Sequence, residues 1–129
     1  MERLRILIVD DEEDLVSAMA ERLALRGFDV QTATSGTEAL RQVAEHDFSV
    51  LLIDVKMPGI GGLELTAEIK RKRPGLPVIL FTGHSSIADA ERGIQEGAFG
   101  YLMKPIDLDK LIENIENAAR SRGRGEDHE

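Results

Sequence analysis

The chain has no cysteine, no tryptophan and a single tyrosine, with only four phenylalanines and four prolines among its 129 residues. Without cysteine there can be no disulfide and no thiolate metal site, and a reducing compartment is the expected home. With so few aromatics the core must be built mainly from aliphatic side chains. The apolar fraction of 42% is enough for one such core, so a single domain is expected. No apolar run is long enough to cross a bilayer. The opening "MERLRILIVDDEED" flanks its short apolar run with charge on both sides and lacks the h-region of a signal peptide. A cytoplasmic protein without membrane contact follows as the expectation. Positive charge is also scarce. The formal net charge is −8, so direct nucleic-acid binding by this domain is not expected, because that work needs a cationic surface.

What is present is an alternation of short apolar runs with segments of helical period. Strands are expected at Arg5–Val9, Phe28–Ala33, Ser49–Ile53, Val78–Phe81 and Gly100–Met103. The first, third and fourth lack polar alternation, as strands covered on both faces do. The second, "FDVQTA", alternates and suits an edge. Between them, Asp14 to Arg26 places Val16, Met19, Ala20 and Leu23 on one stripe and stops at Gly27. "SGTE" has capping-box spacing ahead of Ala39, Leu40 and Val43. A third helix spans Leu63 to Lys72 and stops before Pro74. Ser86 is expected to cap Ile87 to Glu96, with Ala90 and Ile94 on one face and Gly97 as the stop. Asp107 is expected to cap a last helix striped by Leu108, Leu111, Ile112, Ile115 and Ala119. Strand and helix repeated five times imply right-handed crossovers and a parallel sheet covered on both faces, an α/β fold. The domain is expected over 1–120. The segment 121–129, "SRGRGEDHE", has lost its apolar period and is expected to fray or to begin a linker.

The polar residues fall at the carboxyl ends of these strands. Asp10 and Asp11 follow the first, Asp54 the third, Thr82 the fourth, and Lys104 and Pro105 the fifth. Ligands of open parallel sheets bind at that rim. Two carboxylates roughly 4 Å apart repel by about 4 kcal/mol at an effective dielectric near 20. Three of them need counter-charge, and Lys104 offsets one at most. A hard divalent cation with oxygen ligands, Mg²⁺ above all, meets the remainder. Asp54 can then act as a nucleophile toward phosphorus, with Lys104 and the Thr82 hydroxyl holding phosphoryl oxygens. Each residue taken singly has a plainer reading. "DDEE" suits an acidic helix start, Asp54 a turn, and Thr82 a structural strand end. Lys104, between an apolar strand and a proline, is the least ambiguous of them. The specificity lies in the strand ends taken together.

With those residues in view, "ILIVDDEED", "LLIDVKMPGIGGLEL", "VILFTGHSS" and "GAFGYLMKPID" are identified as the motifs of a response-regulator receiver domain of two-component signalling, in the family's order and spacing. The resemblance covers residues 4 to about 120. It implies a flavodoxin-like (βα)₅ fold, strand order 2-1-3-4-5, and phosphorylation of Asp54 by a sensor histidine kinase or a histidine phosphotransfer protein. It implies Mg²⁺ (or Mn²⁺) held by Asp11, Asp54 and the main-chain carbonyl of Lys56, with Asp10 acting mainly through bound water. Thr82 and Lys104 would contact the phosphoryl group, and the Lys104–Pro105 peptide would be cis. Tyr101 matches the family's switch aromatic, with a half-buried strand tyrosine as its plain alternative.

Further implications concern tuning and partners. Gly61 stands where the family often has aspartate, and no chemistry is attached to it. Lys56 and His84 occupy the two places that flank the path of the hydrolytic water and tune acyl-phosphate lifetime. Lys56 is expected to shield the phosphoryl group, against an equally weighted reading as a solvent-facing lysine; His84 is assigned no acid–base role. Leu15 and Ala18, off the buried stripe of the first helix, together with Pro105 and Ile106, are expected to dock a helical histidine donor. The face of the fourth helix, fifth strand and fifth helix is expected to carry the output, by engaging an output domain or target protein or by forming a homodimer on phosphorylation. "FTGHSS" and "GAFGYLMKP" are similar to receivers that precede ATPase-type transcription activators. The chain is not expected to be a turnover enzyme. A Mg²⁺-dependent phosphohydrolase would usually carry an acid where Lys56 stands, and a cap for which there is no room. A nucleotide or flavin carrier would need a phosphate loop where "DDEED" stands.

Overall fold

The computed structural model describes residues 3–127, with the backbone alone at His84 and over 122–127. Five strands and five helices alternate: β1 (Arg5–Val9), α1 (Glu13–Leu25), β2 (Asp29–Ala33), α2 (Gly36–Glu45), β3 (Val50–Asp54), α3 (Gly62–Lys72), β4 (Val78–Thr82), α4 (Ile87–Gln95), β5 (Gly100–Met103) and α5 (Leu108–Asp127). A single 3₁₀ turn, His84–Ser86, links β4 to α4. The sheet is wholly parallel in the order β2-β1-β3-β4-β5. The expected flavodoxin-like topology is therefore observed, with β2 at an edge.

Strand alternation sorts the core into two layers. Leu7, Val9, Leu51, Ile53, Val78 and Leu80 face α2, α3 and α4, where Val43, Leu65, Ile69 and Ala90 meet them. Ile6, Ile8, Val50, Leu52, Ile79 and Phe81 face α1 and α5, where Val16, Leu23, Leu111 and Ile115 meet them. All five residues of β3 and of β4 are buried, which is why those strands show no polar alternation. Among the described residues no helix is long and apolar enough to cross a membrane.

Local signals account for most element ends. The Ser35 hydroxyl accepts the Glu38 N–H at 3.2 Å, and one Asp107 carboxylate oxygen accepts the N–H groups of Asp109 and Lys110. Gly27 and Gly97 end α1 and α4 at φ 96° and 112°, in the left-handed region open to glycine. Several expectations need correction. β2 begins at Asp29, and Phe28 packs instead into the α1/α5 layer. Ser49 precedes β3, where its hydroxyl accepts the Arg5 N–H. Ser86 stands ahead of α4, but its side chain makes no capping bond. Ile94 is 39% exposed; Gly93 takes the buried place beside Ala90, because a Cβ there would lie 2.3 Å from Leu80 Cδ1. Helix α5 runs on to Asp127, beyond the apolar stripe and into the segment expected to fray or to begin a linker. A helix propagates from the turn before it and does not need that stripe to continue. His128 and Glu129, at the end of the expected tail, lie outside the described residues.

Candidate phosphoryl and metal site

Asp54 is the last residue of β3 and Thr82 the last of β4, each one position nearer the sheet than their expected places just beyond the strand ends. Strand pairing carries them, together with Asp10 after β1 and Lys104 after β5, to one rim. Asp10, Asp54 and Thr82 are 1%, 7% and 1% exposed. Asp11 is exposed beside them. Carboxylate oxygens of Asp10, Asp11 and Asp54 all lie within 4.8 Å of one another. Lys104 Nζ reaches across the rim, 3.4 Å from both Asp10 Oδ2 and Asp54 Oδ1. The Lys104–Pro105 peptide is cis, as expected.

These charges set the protonation of Asp54. Burial pushes the Asp54 pKa up from 3.8 to about 6, and the Asp10 charge adds to the effect; the Lys104 ammonium and the Lys56 N–H, which donates to the carboxylate, oppose it. Burial works to lower the Lys104 pKa. Asp54 and Asp10 together outweigh it and hold the ammonium above its ordinary value. One cation thus leaves the acid cluster under-compensated. Three hard oxygen donors at this spacing suit a hard divalent cation such as Mg²⁺ or Mn²⁺.

The Thr82 hydroxyl donates to the Gly83 carbonyl at 3.0 Å and borders the same cavity as Asp54 and Lys104. Lys56 lines that cavity with its side chain exposed. His84 lies in the 3₁₀ turn, and its side chain lies outside the described residues. Gly61 precedes α3 with ordinary negative φ. Tyr101 is half-buried and packs against the α2/α3/α4 layer. Leu15, Ala18, Pro105 and Ile106 come together as expected, lining a mostly apolar groove of about 310 Å³ between α1 and the start of α5.

Three contributors escaped sequence reasoning. Glu12 places Oε1 3.8 Å from Lys104 Nζ, a third carboxylate on the same ammonium; the unbroken run "DDEE" was the available signal. Gly62 lies so close to the end of β3 that a Cβ would stand 2.3 Å from the Asp54 carbonyl oxygen. Its helical position shows the need for glycine only once the packing is known. Ser86, expected only as a cap, borders the Asp54 cavity and is 3% exposed.

The profile of the response regulator receiver domain family matches residues 6–116. The transcriptional regulatory protein GlrR of Escherichia coli K12 is 40% identical over 113 residues, covering 88% of this chain and 26% of that protein. The DNA-binding transcriptional regulator NtrC of the same strain is 39% identical over 118 residues, covering 92% and 25%. The chain thus spans about a quarter of the length of these curated relatives. Among solved structures, a response regulator receiver domain protein from Clostridium thermocellum superposes with TM-score 0.90 at 36% identity, covering 93% of this chain and 97% of that one. NtrX from Brucella abortus, in complex with ADP, superposes with TM-score 0.92 at 31% identity, covering 98% and 29%. A (βα)₅ sheet in the order 2-1-3-4-5, an acid cluster facing a lysine across its rim, and a profile match over most of the chain lead to one conclusion: the chain belongs to the response regulator receiver domain family.

Proposed function

We propose that Asp54 accepts a phosphoryl group from a phosphohistidine of a sensor histidine kinase or a histidine phosphotransfer protein. One observation carries this reading: a buried carboxylate at a strand end stands 3.4 Å from an ammonium and beside two further acids. An Asp54 Oδ attacks phosphorus, the P–N bond to the imidazole breaks, and the leaving imidazole nitrogen keeps the bonding pair and takes a proton. Asp11, Asp54 and the Lys56 carbonyl would hold Mg²⁺, with Asp10 acting through its water; when bound, the ion neutralises charge on the phosphoryl oxygens. Lys104 Nζ holds a second oxygen and the Thr82 hydroxyl a third, after leaving the Gly83 carbonyl. Lys56 and His84 stand at the positions that tune the lifetime of the acyl phosphate, and Lys56 slows its loss. The chain assists its own phosphorylation and slow dephosphorylation without turning over a separate substrate.

The groove at Leu15, Ala18, Pro105 and Ile106 docks the histidine donor, and its position beside Lys104 supports that assignment. The α4-β5-α5 face, with Tyr101, answers phosphorylation by engaging an output domain or target, or a second copy of the chain. A phosphoryl group shifts such a face only by interacting differently with its two states. The domain works in the cytoplasm and does not itself contact nucleic acid.

Treatment with acetyl phosphate, with Mg²⁺ or with chelator, followed by intact mass, tests the reading. One added phosphoryl group that requires the metal is expected. No label under either condition overturns it.

A further inference from the structure

The 3₁₀ turn between β4 and α4 holds a hydroxyl with nothing to do. Ser86 is 97% buried by its 3% exposure, borders the cavity of Asp54 and Thr82, and its hydroxyl makes no hydrogen bond among the described residues. Its oxygen is not sealed in, since Gln31 Oε1 alone among the described side-chain atoms is buried without a partner; the Ser86 hydroxyl opens onto the cavity and is free to take a protein partner in another state. Its neighbourhood shows where that partner lies. The Gly83 carbonyl accepts two bonds, from the Thr82 hydroxyl at 3.0 Å and from the Ser86 N–H at 3.0 Å. Ser86 is thus the third residue after the carbonyl that its own amide already holds. From that position a serine hydroxyl can back-bond to the same oxygen by rotation about χ1.

We propose that Ser86 is a positioning residue that acts through Thr82: when the Thr82 hydroxyl leaves the Gly83 carbonyl for a phosphoryl oxygen, the Ser86 hydroxyl replaces it there. This rests on the reading of Asp54 as phosphoryl acceptor. The exchange keeps the carbonyl doubly bonded in both states and removes the cost that Thr82 would otherwise impose on leaving. No covalent step is involved. Ser86 touches neither the phosphoryl group nor the metal; it sets how readily Thr82 reaches them and, as the last residue of the 3₁₀ turn before α4, how α4 follows.

The molecule supplies its own reporter. Tyr101 is the sole tyrosine and there is no tryptophan, so tyrosine fluorescence reads one site. Beryllofluoride with Mg²⁺ is the probe, titrated against the wild type, Ser86→Ala, Ser86→Thr, Thr82→Ala and the double variant Thr82→Ala/Ser86→Ala. The Tyr101 signal of the wild type is expected to change on titration. Ser86→Ala is expected to weaken the apparent affinity about three- to ten-fold, the scale of one neutral hydrogen bond, and Ser86→Thr to restore it. Without the probe, the melting midpoint of Ser86→Ala is expected to match the wild type, because the hydroxyl is uncommitted in that state. In the Thr82→Ala background the Ser86→Ala change is expected to add nothing. Wild-type affinity in Ser86→Ala, an equal loss in the Thr82→Ala background, failure of threonine to restore affinity, or a lower melting midpoint without the probe overturns the exchange. A wild type that neither responds to the probe nor takes a phosphoryl group from acetyl phosphate overturns the acceptor reading itself, which separates the two failures.

Discussion

Two cavities share a wall at Lys104 and otherwise have opposite characters. One, of about 420 Å³, is bordered by Asp11, Glu12, Asp54, Thr82 and Ser86. The other, of about 310 Å³, is bordered by Leu15, Ala18, Met19, Ile106, Leu108 and Leu111, with Arg22 as a cation on its edge. The chain passes from one to the other in two residues, Lys104 and Pro105. The polar cavity concentrates acid that Lys104, with Lys56 at its exposed edge, does not balance, so it can gain from a cation and an electrophile. The apolar groove offers nothing to such ligands, but it can bury a side chain presented by a helix. Under the proposed function, chemistry and docking are set side by side with little overlap, and substitutions in each should fail in different assays.

The sharpest separation is expected at Asp54. Asp54→Asn should abolish labelling by every donor while keeping the fold, as read by intact mass and circular dichroism. On the other side of the wall, Ile106→Glu should slow transfer from a histidine kinase by roughly ten-fold or more, the scale of losing one well-buried apolar contact. Labelling of the same variant by acetyl phosphate should stay at the wild-type rate. Equal losses with both donors would erase the distinction between the two cavities.

A smaller effect concerns pH. In the metal-free protein Asp54 binds its proton more tightly folded, at a pKa of about 6, than unfolded at 3.8. The folded state therefore holds the extra proton between those values, and stability falls as pH rises through that window. The penalty is fully present above about pH 6 and is relieved as pH falls toward 3.8. Two pKa units set an upper scale of roughly 3 kcal/mol, with about 1–3 expected. Denaturant melts in chelator across this range should show the slope in the wild type and its loss in Asp54→Asn. The smallest effect is expected at Lys56. Lys56→Asn should shorten the acyl-phosphate half-life a few-fold, and an unchanged half-life would remove Lys56 as a shield.

The sequence made the sheet legible because its buried strands are uninterrupted apolar runs, bounded by Gly27, Pro74 and Gly97 or by caps such as Ser35 and Asp107. The strand-end acids, Thr82 and Lys104 were legible for the same reason, since each breaks an apolar run. What stayed hidden depends on contacts between elements. Ile94 looked like a core residue from its period, but the close approach of Leu80 demands glycine at 93. Gly62 carries no signal until α3 is packed against the Asp54 carbonyl. Ser86 fitted a cap pattern, whereas its hydroxyl is left uncommitted beside the site. Helix α5 outran its apolar stripe because a stripe reports what a helix packs against and not where its hydrogen bonds stop.

The most direct measurement is peptide-level mass mapping of the wild type and Asp54→Asn after acetyl phosphate and Mg²⁺. The account predicts a single phosphoryl group on the peptide containing Asp54, and none on the variant. A phosphoryl group on another residue, or one retained in Asp54→Asn, would contradict it.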